Sequence, residues 1–309
     1  MSPAPTPDAT PMQGLWPAMV TPLDEALAID HARFAAHARD LLACGCAGVT
    51  PFGTTGEGPS FSVDERRHAL DALVDGGVAP QQIVASTSAA ALPDAVALTR
   101  HAVERGVRAC LLMPPFFLKG VPDAGIVDFY DQLVDRVADA RLRLVLYHIP
   151  QVSGVALGEG VVATLLQHHG PHIVGIKDSG GQRDTSLGFA RAFMPPLQVW
   201  VGHEPDLQEL ATMGARGAIS GLGNVAPRLV QRLLAGPDAP DAAADLQRVQ
   251  QVLALLNADG LTASYKAVLA QRSGHAGWRR VRAPLVAMDD AQAARLAAAW
   301  GALDAGCVG

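Results

Sequence analysis

Eight short apolar, β-prone runs, each followed by an amphipathic helical stretch, limit what this chain can fold into. They are Leu15 to Val20, Ala47 to Phe52, Ile83 to Thr87, Ala109 to Met113, Leu142 to Ile149, Ile173 to Lys177, Leu197 to Gly202 and Ala218 to Leu222. Their apolarity is continuous rather than alternating, so both faces of each strand are buried, which implies a parallel sheet covered by helices. Eight strand-helix units in roughly 215 residues fit an α/β fold of the (β/α)8 TIM barrel type. An open doubly wound sheet is the alternative, but no strand is followed by the glycine-rich dinucleotide fingerprint that would support it. Helix starts are readable at Asp30 and at Ser62-Val63-Asp64-Glu65, a capping box.

The barrel is expected over 15–236, after a Pro-rich tail at 1–14 that has neither the basic nor the apolar region of a signal peptide. Gly236-Pro237-Asp238-Ala239-Pro240 breaks the pattern, and 237–309 reads as an appended helical segment. Leu246, Val249, Leu253 and Leu256 form one apolar helix face ended by Gly260, with further helices near Leu261 to Gln271 and Asp290 to Leu303. Whether this segment packs on its own barrel or on a neighbour is open at this level. A net charge of −6 argues against nucleic acid or an anionic membrane as partner and favours a small molecule. No apolar run reaches the ~18 residues of a membrane span, so a soluble, cytoplasmic protein is expected.

Of 24 basic residues only Lys119, Lys177 and Lys266 are lysines, and Lys177 lies inside an apolar run. In a barrel the active site lies at the C-terminal ends of the strands. If Lys177 points inward, Gly175 and Ser179 share its face, Gly175 leaving room below and Ser179 standing at the mouth. Burial would lower the amine from about 10.4 and yield a neutral nucleophile able to form an imine with a ketone. The bland reading pairs Lys177 with a carboxylate such as Asp178, which should instead face the helices. Imine chemistry needs a proton shuttle, and Tyr147, in "LYHIP", is the candidate. Gly53-Thr54-Thr55-Gly56-Glu57-Gly58 offers backbone N–H groups and two hydroxyls to a carboxylate, or is simply a βα turn. His203-Glu204 could meet substrate or cap the next helix with Asp206. His168, His169 and His172 lie at the non-catalytic end and match no metal motif. Cys44, Cys46, Cys110 and Cys307 are expected to be structural thiols.

Together "GTTGEG", "YHIP" and "GIKDSGG" resemble the dihydrodipicolinate synthase and N-acetylneuraminate lyase family, and the likeness extends from "PAMVTPLDE" to "SYKAVLAQRSG". The resemblance implies a barrel with C-terminal helices, a homotetramer or dimer, and class I aldol chemistry on pyruvate or another 2-oxo acid, with a covalent lysine imine and no cofactor or metal. It implies catalytic roles for Lys177, Tyr147 and Thr55, and substrate contacts from Thr54, Thr55, Ser179 and Glu204. Two positions depart from the synthases. Phe117 stands where they carry a relay tyrosine, and Val152 where they carry an arginine that clamps a carboxylate, a contact worth about 1.5 to 3 kcal/mol. "IPQVSG" looks like the sugar-acid branch, although Pro205 replaces the second carboxylate beside Glu204. The expected function is a carbon-carbon or carbon-oxygen lyase acting through a lysine Schiff base on pyruvate or a 2-oxo-3-deoxy sugar acid. The alternatives are a sugar-acid dehydratase, a synthase with an atypical relay, a metal-dependent aldolase and a non-catalytic binding protein.

Overall fold

The structure, a computed structural model, describes residues 12–304. Among them run seven parallel strands: β1 (Gly14–Pro17), β2 (Val84–Ser86), β3 (Ala109–Leu112), β4 (Leu144–His148), β5 (Ile173–Asp178), β6 (Gln198–Val201) and β7 (Gly217–Ser220). They pair in the order β1-β7-β6-β5-β4-β3-β2. The run at 47–51 fills the gap between β1 and β2 without forming a regular strand. On one side Ala47 N donates to Leu15 O (2.9 Å) and Thr50 N to Pro17 O (2.8 Å); on the other its Val49 O accepts from Val84 N (3.0 Å). Pro51 has no N–H to continue the ladder, and Phe52 turns left-handed (φ 61°), so the run breaks off where the loop begins.

Helices cover the sheet: α1 (His31–Ala43), α2 (Val63–Asp75), α3 (Leu92–Glu104), α4 (Asp123–Val137), the single turn α5 (Pro150–Ser153), α6 (Glu159–His169), α7 (Arg183–Phe193), α8 (Leu207–Thr212) and α9 (Pro227–Leu233). Asp30 caps α1 by accepting from Arg33 N at 2.9 Å, and Ser62 and Glu65 form the expected capping box on α2. The C-terminal segment adds α10 (Ala242–Asn257), α11 (Leu261–Ser273) and α12 (Asp290–Asp304). It packs on its own barrel. Trp278 stacks edge-on against His37 of α1 at 5.2 Å, and Arg282 grips Glu65 of α2. None of the helices is long and apolar enough to cross a membrane among the described residues.

Two apolar clusters result. One lies between sheet and helices; the other, with Trp16, Val145, Tyr147, Ile149 and Trp200, fills the barrel. Gly175 does not leave an empty space below Lys177. A Cβ there would lie 2.0 Å from the Trp200 ring, so the missing side chain admits the indole. The expected tail boundary moves as well. Residues 1–11 lie outside the described part, but Met12 is buried, its carbonyl accepts from Trp200 Nε1 (3.2 Å), and Gly14 already belongs to β1.

Candidate active site

β4 and β5 place the central pair. Their register sets Tyr147 beside Lys177 and His148 beside Asp178, and alternation sends the first pair inward and the second toward the helices. Lys177 Nζ lies over the Tyr147 ring, 4.3 Å from its centroid, with Lys177 4% exposed and Tyr147 2%. Asp178 does not hold the lysine. Its carboxylate accepts from Gly180 N (2.8 Å) and from the Ser186 hydroxyl of α7. Behind the strands His148 accepts from Leu157 N through Nδ1 (3.1 Å), and its Nε2 stands 3.9 Å from Asp178. Burial pushes the His148 imidazole below its ordinary value, with Asp178 opposing.

Ser179 follows Lys177 on the inner side, where a Cβ on Gly202 would collide with Ser179 Oγ (1.9 Å) and lie 2.9 Å from Lys177 Cε. Ser179 Oγ and the lysine stem thus share the rim above β6.

Thr54 and Thr55 sit in a tight turn in which Gly56 N and Gly58 N both bond Gly53 O. Consecutive hydroxyls in such a turn diverge. Thr54 Oγ1 lies 3.2 Å from Tyr147 Oη, so of the two threonines it is Thr54 that touches this phenol. Thr55 Oγ1 points instead toward Gly221, just after β7. Glu57, left-handed at φ 58°, anchors the loop from beneath. Its carboxylate forms an ion pair with Lys266 of α11, both side chains fully buried, and accepts from Arg282 N at 3.2 Å. Lys266 also donates to Arg280 O (2.7 Å), and its amine is lowered by burial with Glu57 opposing.

At the end of β6, His203 pairs with Asp206 (2.9 Å), which raises its imidazole. This bond joins two side chains, and neither His203 nor Asp206 caps the following helix through its side chain, whereas Glu204 is buried and accepts from Ser220 Oγ at 2.5 Å. Sequence reasoning missed Tyr265. Its ring, 2% exposed on α11, brings Oη to the same point beside Gly221 that Thr55 approaches. Burial, reinforced by Glu204, raises this phenol well above its ordinary value. No local pattern signals it, because α11 and β7 meet only in the folded chain.

Phe117 and Val152, the two departures, are 79% and 53% exposed at the rim. Away from the mouth, Asp131 of α4 binds His168 (3.1 Å) and His169 (2.8 Å) of α6. These three offer ligand atoms within 4.8 Å of one another, but the two imidazoles are engaged with the single carboxylate. Burial pushes the thiols of Cys46 and Cys110 up to about 12, consistent with structural roles; Cys307 lies outside the described residues.

The model of the dihydrodipicolinate synthetase family matches residues 11–302. An uncharacterized DapA-like lyase of Chloroflexus aurantiacus is 34% identical over 297 residues, covering 95% of this chain and 98% of its own. The crystal structure of dihydrodipicolinate synthase from Agrobacterium tumefaciens superposes with a TM-score of 0.86 at 31% identity, covering 94% of this chain and 99% of that one. A sialic acid aldolase of Ruminococcus gnavus shares the fold, with a TM-score of 0.85 at 22% identity over 95% of this chain and 98% of its own.

Proposed function

Because the chain belongs to the dihydrodipicolinate synthetase family, we propose that this lyase works through an imine on Lys177, with pyruvate or a 2-oxo-3-deoxy sugar acid as its substrate. One observation carries the reading: Lys177 Nζ lies against Tyr147, whose hydroxyl is joined to Thr54, at the C-terminal end of the barrel. The amine attacks the C2 carbonyl, and loss of water leaves a protonated imine. In the cleavage direction Tyr147 takes the proton of the C4 hydroxyl, the C3–C4 bond breaks, and its electrons enter the imine as an enamine while an aldehyde leaves. Protonation at C3 and hydrolysis then release pyruvate and the free amine. Thr54 and Thr55, with the N–H groups of their turn, hold the carboxylate, and Ser179 and Glu204 meet the substrate's hydroxyls. The imine is itself the electron sink, so the scheme uses no cofactor.

The arrangement at the rim supports a sugar acid over the synthase substrate, since Phe117 carries no proton and Val152 offers no charge to a second carboxylate. The proposal includes a cytoplasmic homodimer or homotetramer, because Phe117 and Leu118, 79% and 66% exposed, form an apolar rim that a second copy would cover. Sedimentation of a monomer at working concentration would remove that part.

Borohydride reduction in the presence of pyruvate, followed by intact mass, tests the mechanism. The wild type gains one reduced pyruvate adduct and Lys177→Ala gains none. An unmodified wild type, or an adduct that survives in Lys177→Ala, overturns the reading. Product analysis separates cleavage from dehydration: pyruvate plus an aldehyde, or a dehydrated oxo acid.

A further inference from the structure

α4 and α6 pack side by side, and one cluster of side chains crosses between them. Asp131 of α4 lies against two successive histidines in the last turn of α6. His168 approaches through Nδ1, 3.1 Å from each carboxylate oxygen, and His169 through Nε2, 2.8 Å from Oδ1. Successive residues on a helix point about 100° apart, so two neighbours reach one point most easily through different nitrogens. Here the rings stand nearly perpendicular (85°), with centroids 6.0 Å apart, and each turns a different nitrogen to the same carboxylate. The bonds that engage the imidazoles therefore also assemble three ligand atoms.

Two imidazoles and one carboxylate suit a borderline divalent metal such as zinc(II), whereas calcium and magnesium surround themselves with oxygen. A tetrahedral zinc with bonds of about 2.0 to 2.2 Å sets its ligand atoms about 3.3 Å apart. The N···O separations of 2.8 and 3.1 Å lie slightly inside that value. Each imidazole must then present its lone pair to the metal. A neutral ring does so by exchanging tautomers through solvent, the proton moving to its other nitrogen. Asp131 and His168, 30% and 41% exposed, leave the fourth position to water. His172 is bound instead to Leu142 O (3.1 Å) and lies outside the group. Charge favours a dication here. Asp128 and Asp135 lie one turn to either side of Asp131, and the C-terminal turn of α6 presents the negative end of its dipole.

We propose that Asp131, His168 and His169 form a zinc(II) site that staples α4 to α6. α4 descends from the 113–122 loop that carries Phe117, and α6 follows the α5 turn that carries Val152. The metal thus ties together the two units whose loops form this part of the rim. It takes no part in the imine chemistry.

Untagged, chelator-treated protein titrated with zinc sulfate against the chromophore 4-(2-pyridylazo)resorcinol tests the site. The wild type takes up one equivalent, cobalt(II) in its place gives the intense visible bands of a four-coordinate centre, and zinc raises the melting temperature. Asp131→Asn and His169→Gln, each still melting cooperatively in chelator, bind at least about tenfold more weakly, the loss that even an outer contact to a metal causes. Their melting temperatures no longer respond to zinc, whereas His172→Gln behaves as the wild type. A wild type that takes up no equivalent, or uptake unchanged in either ligand variant, overturns the proposal. Binding that leaves the wild-type melting temperature where it was removes the staple. None of these readouts depends on the lysine mechanism.

Discussion

Thr54 and Thr55 are adjacent and chemically identical, yet the turn gives them different neighbours. Thr54 touches the phenol of Tyr147 at 3.2 Å, and Thr55 looks toward Gly221 and Tyr265. If Tyr147 shuttles the proton, Thr54 orients it, and Thr55 acts on binding. Thr54→Val should therefore lower kcat by about 10² with little change in KM, in the lower part of the range for acid–base groups. Thr55→Val should raise KM by about tenfold at nearly constant kcat, the effect of one lost hydrogen bond to bound substrate. Steady-state kinetics on the cleavage reaction decides between them, and the reverse pattern would return the relay to Thr55. The sequence shows two hydroxyls after a glycine but cannot distinguish them, because the distinction arises from the bonds that Gly56 N and Gly58 N make to Gly53 O.

The loop that carries these threonines is held from outside the barrel proper. Two non-glycine residues, Phe52 and Glu57, take left-handed backbone at its ends, a conformation that costs roughly 1–2 kcal/mol for an ordinary residue and persists only where other contacts enforce it. Glu57 is enforced by the buried ion pair with Lys266 of α11. Removing one partner leaves an uncompensated buried charge, so Lys266→Met should cost about 3–5 kcal/mol, whereas Glu57→Gln with Lys266→Met should recover much of that loss. Urea unfolding of the three proteins measures it, and a double variant no more stable than Lys266→Met would show that the pair is not coupled. Two of the three lysines tie down loops at this end, since Lys266 holds Glu57 and Lys119 donates to Phe116 O and Ser153 O across the rim. Lysine scarcity pointed to Lys177 in the sequence, and the strand around it was legible because burial on both faces forces continuous apolarity. The same rule found the 47–51 run but not its irregularity, which depends on Pro51 and the turn of Phe52.

At the scale of the whole molecule, the open question in the sequence was where the last seventy or so residues pack. Nothing local answers it, since an apolar helix face does not name its partner; the answer lies in long-range contacts such as Trp278 on His37 and Arg282 on Glu65. These contacts also set how the molecule responds to acid. Hydrogen bonding from Arg282 holds the Glu65 carboxyl down at about 2, so its contribution to stability is present above the ordinary 4.5 and is lost only as pH falls through about 2. The histidines titrate earlier. His37, whose Nε2 bonds Asn224 Oδ1 at 2.9 Å, is lowered by burial from 6.5, and His148 is lowered for the same reason. Each binds its proton more readily in the unfolded chain, so stability falls as pH drops below about 6.5, by at most about 1.4 kcal/mol per pH unit for each such group. His203, raised by its bond to Asp206, works in the opposite direction, but its side chain is 41% exposed and solvent screens the effect, so the two buried rings should prevail. The melting temperature should accordingly decline between pH 7 and 5, well before any carboxylate of the Arg282 type is lost. His37→Gln, which can still donate to Asn224 but takes up no proton, should flatten that decline even if it lowers the value at pH 7. A slope unchanged by His37→Gln would mean that the junction between barrel and C-terminal segment does not govern acid lability.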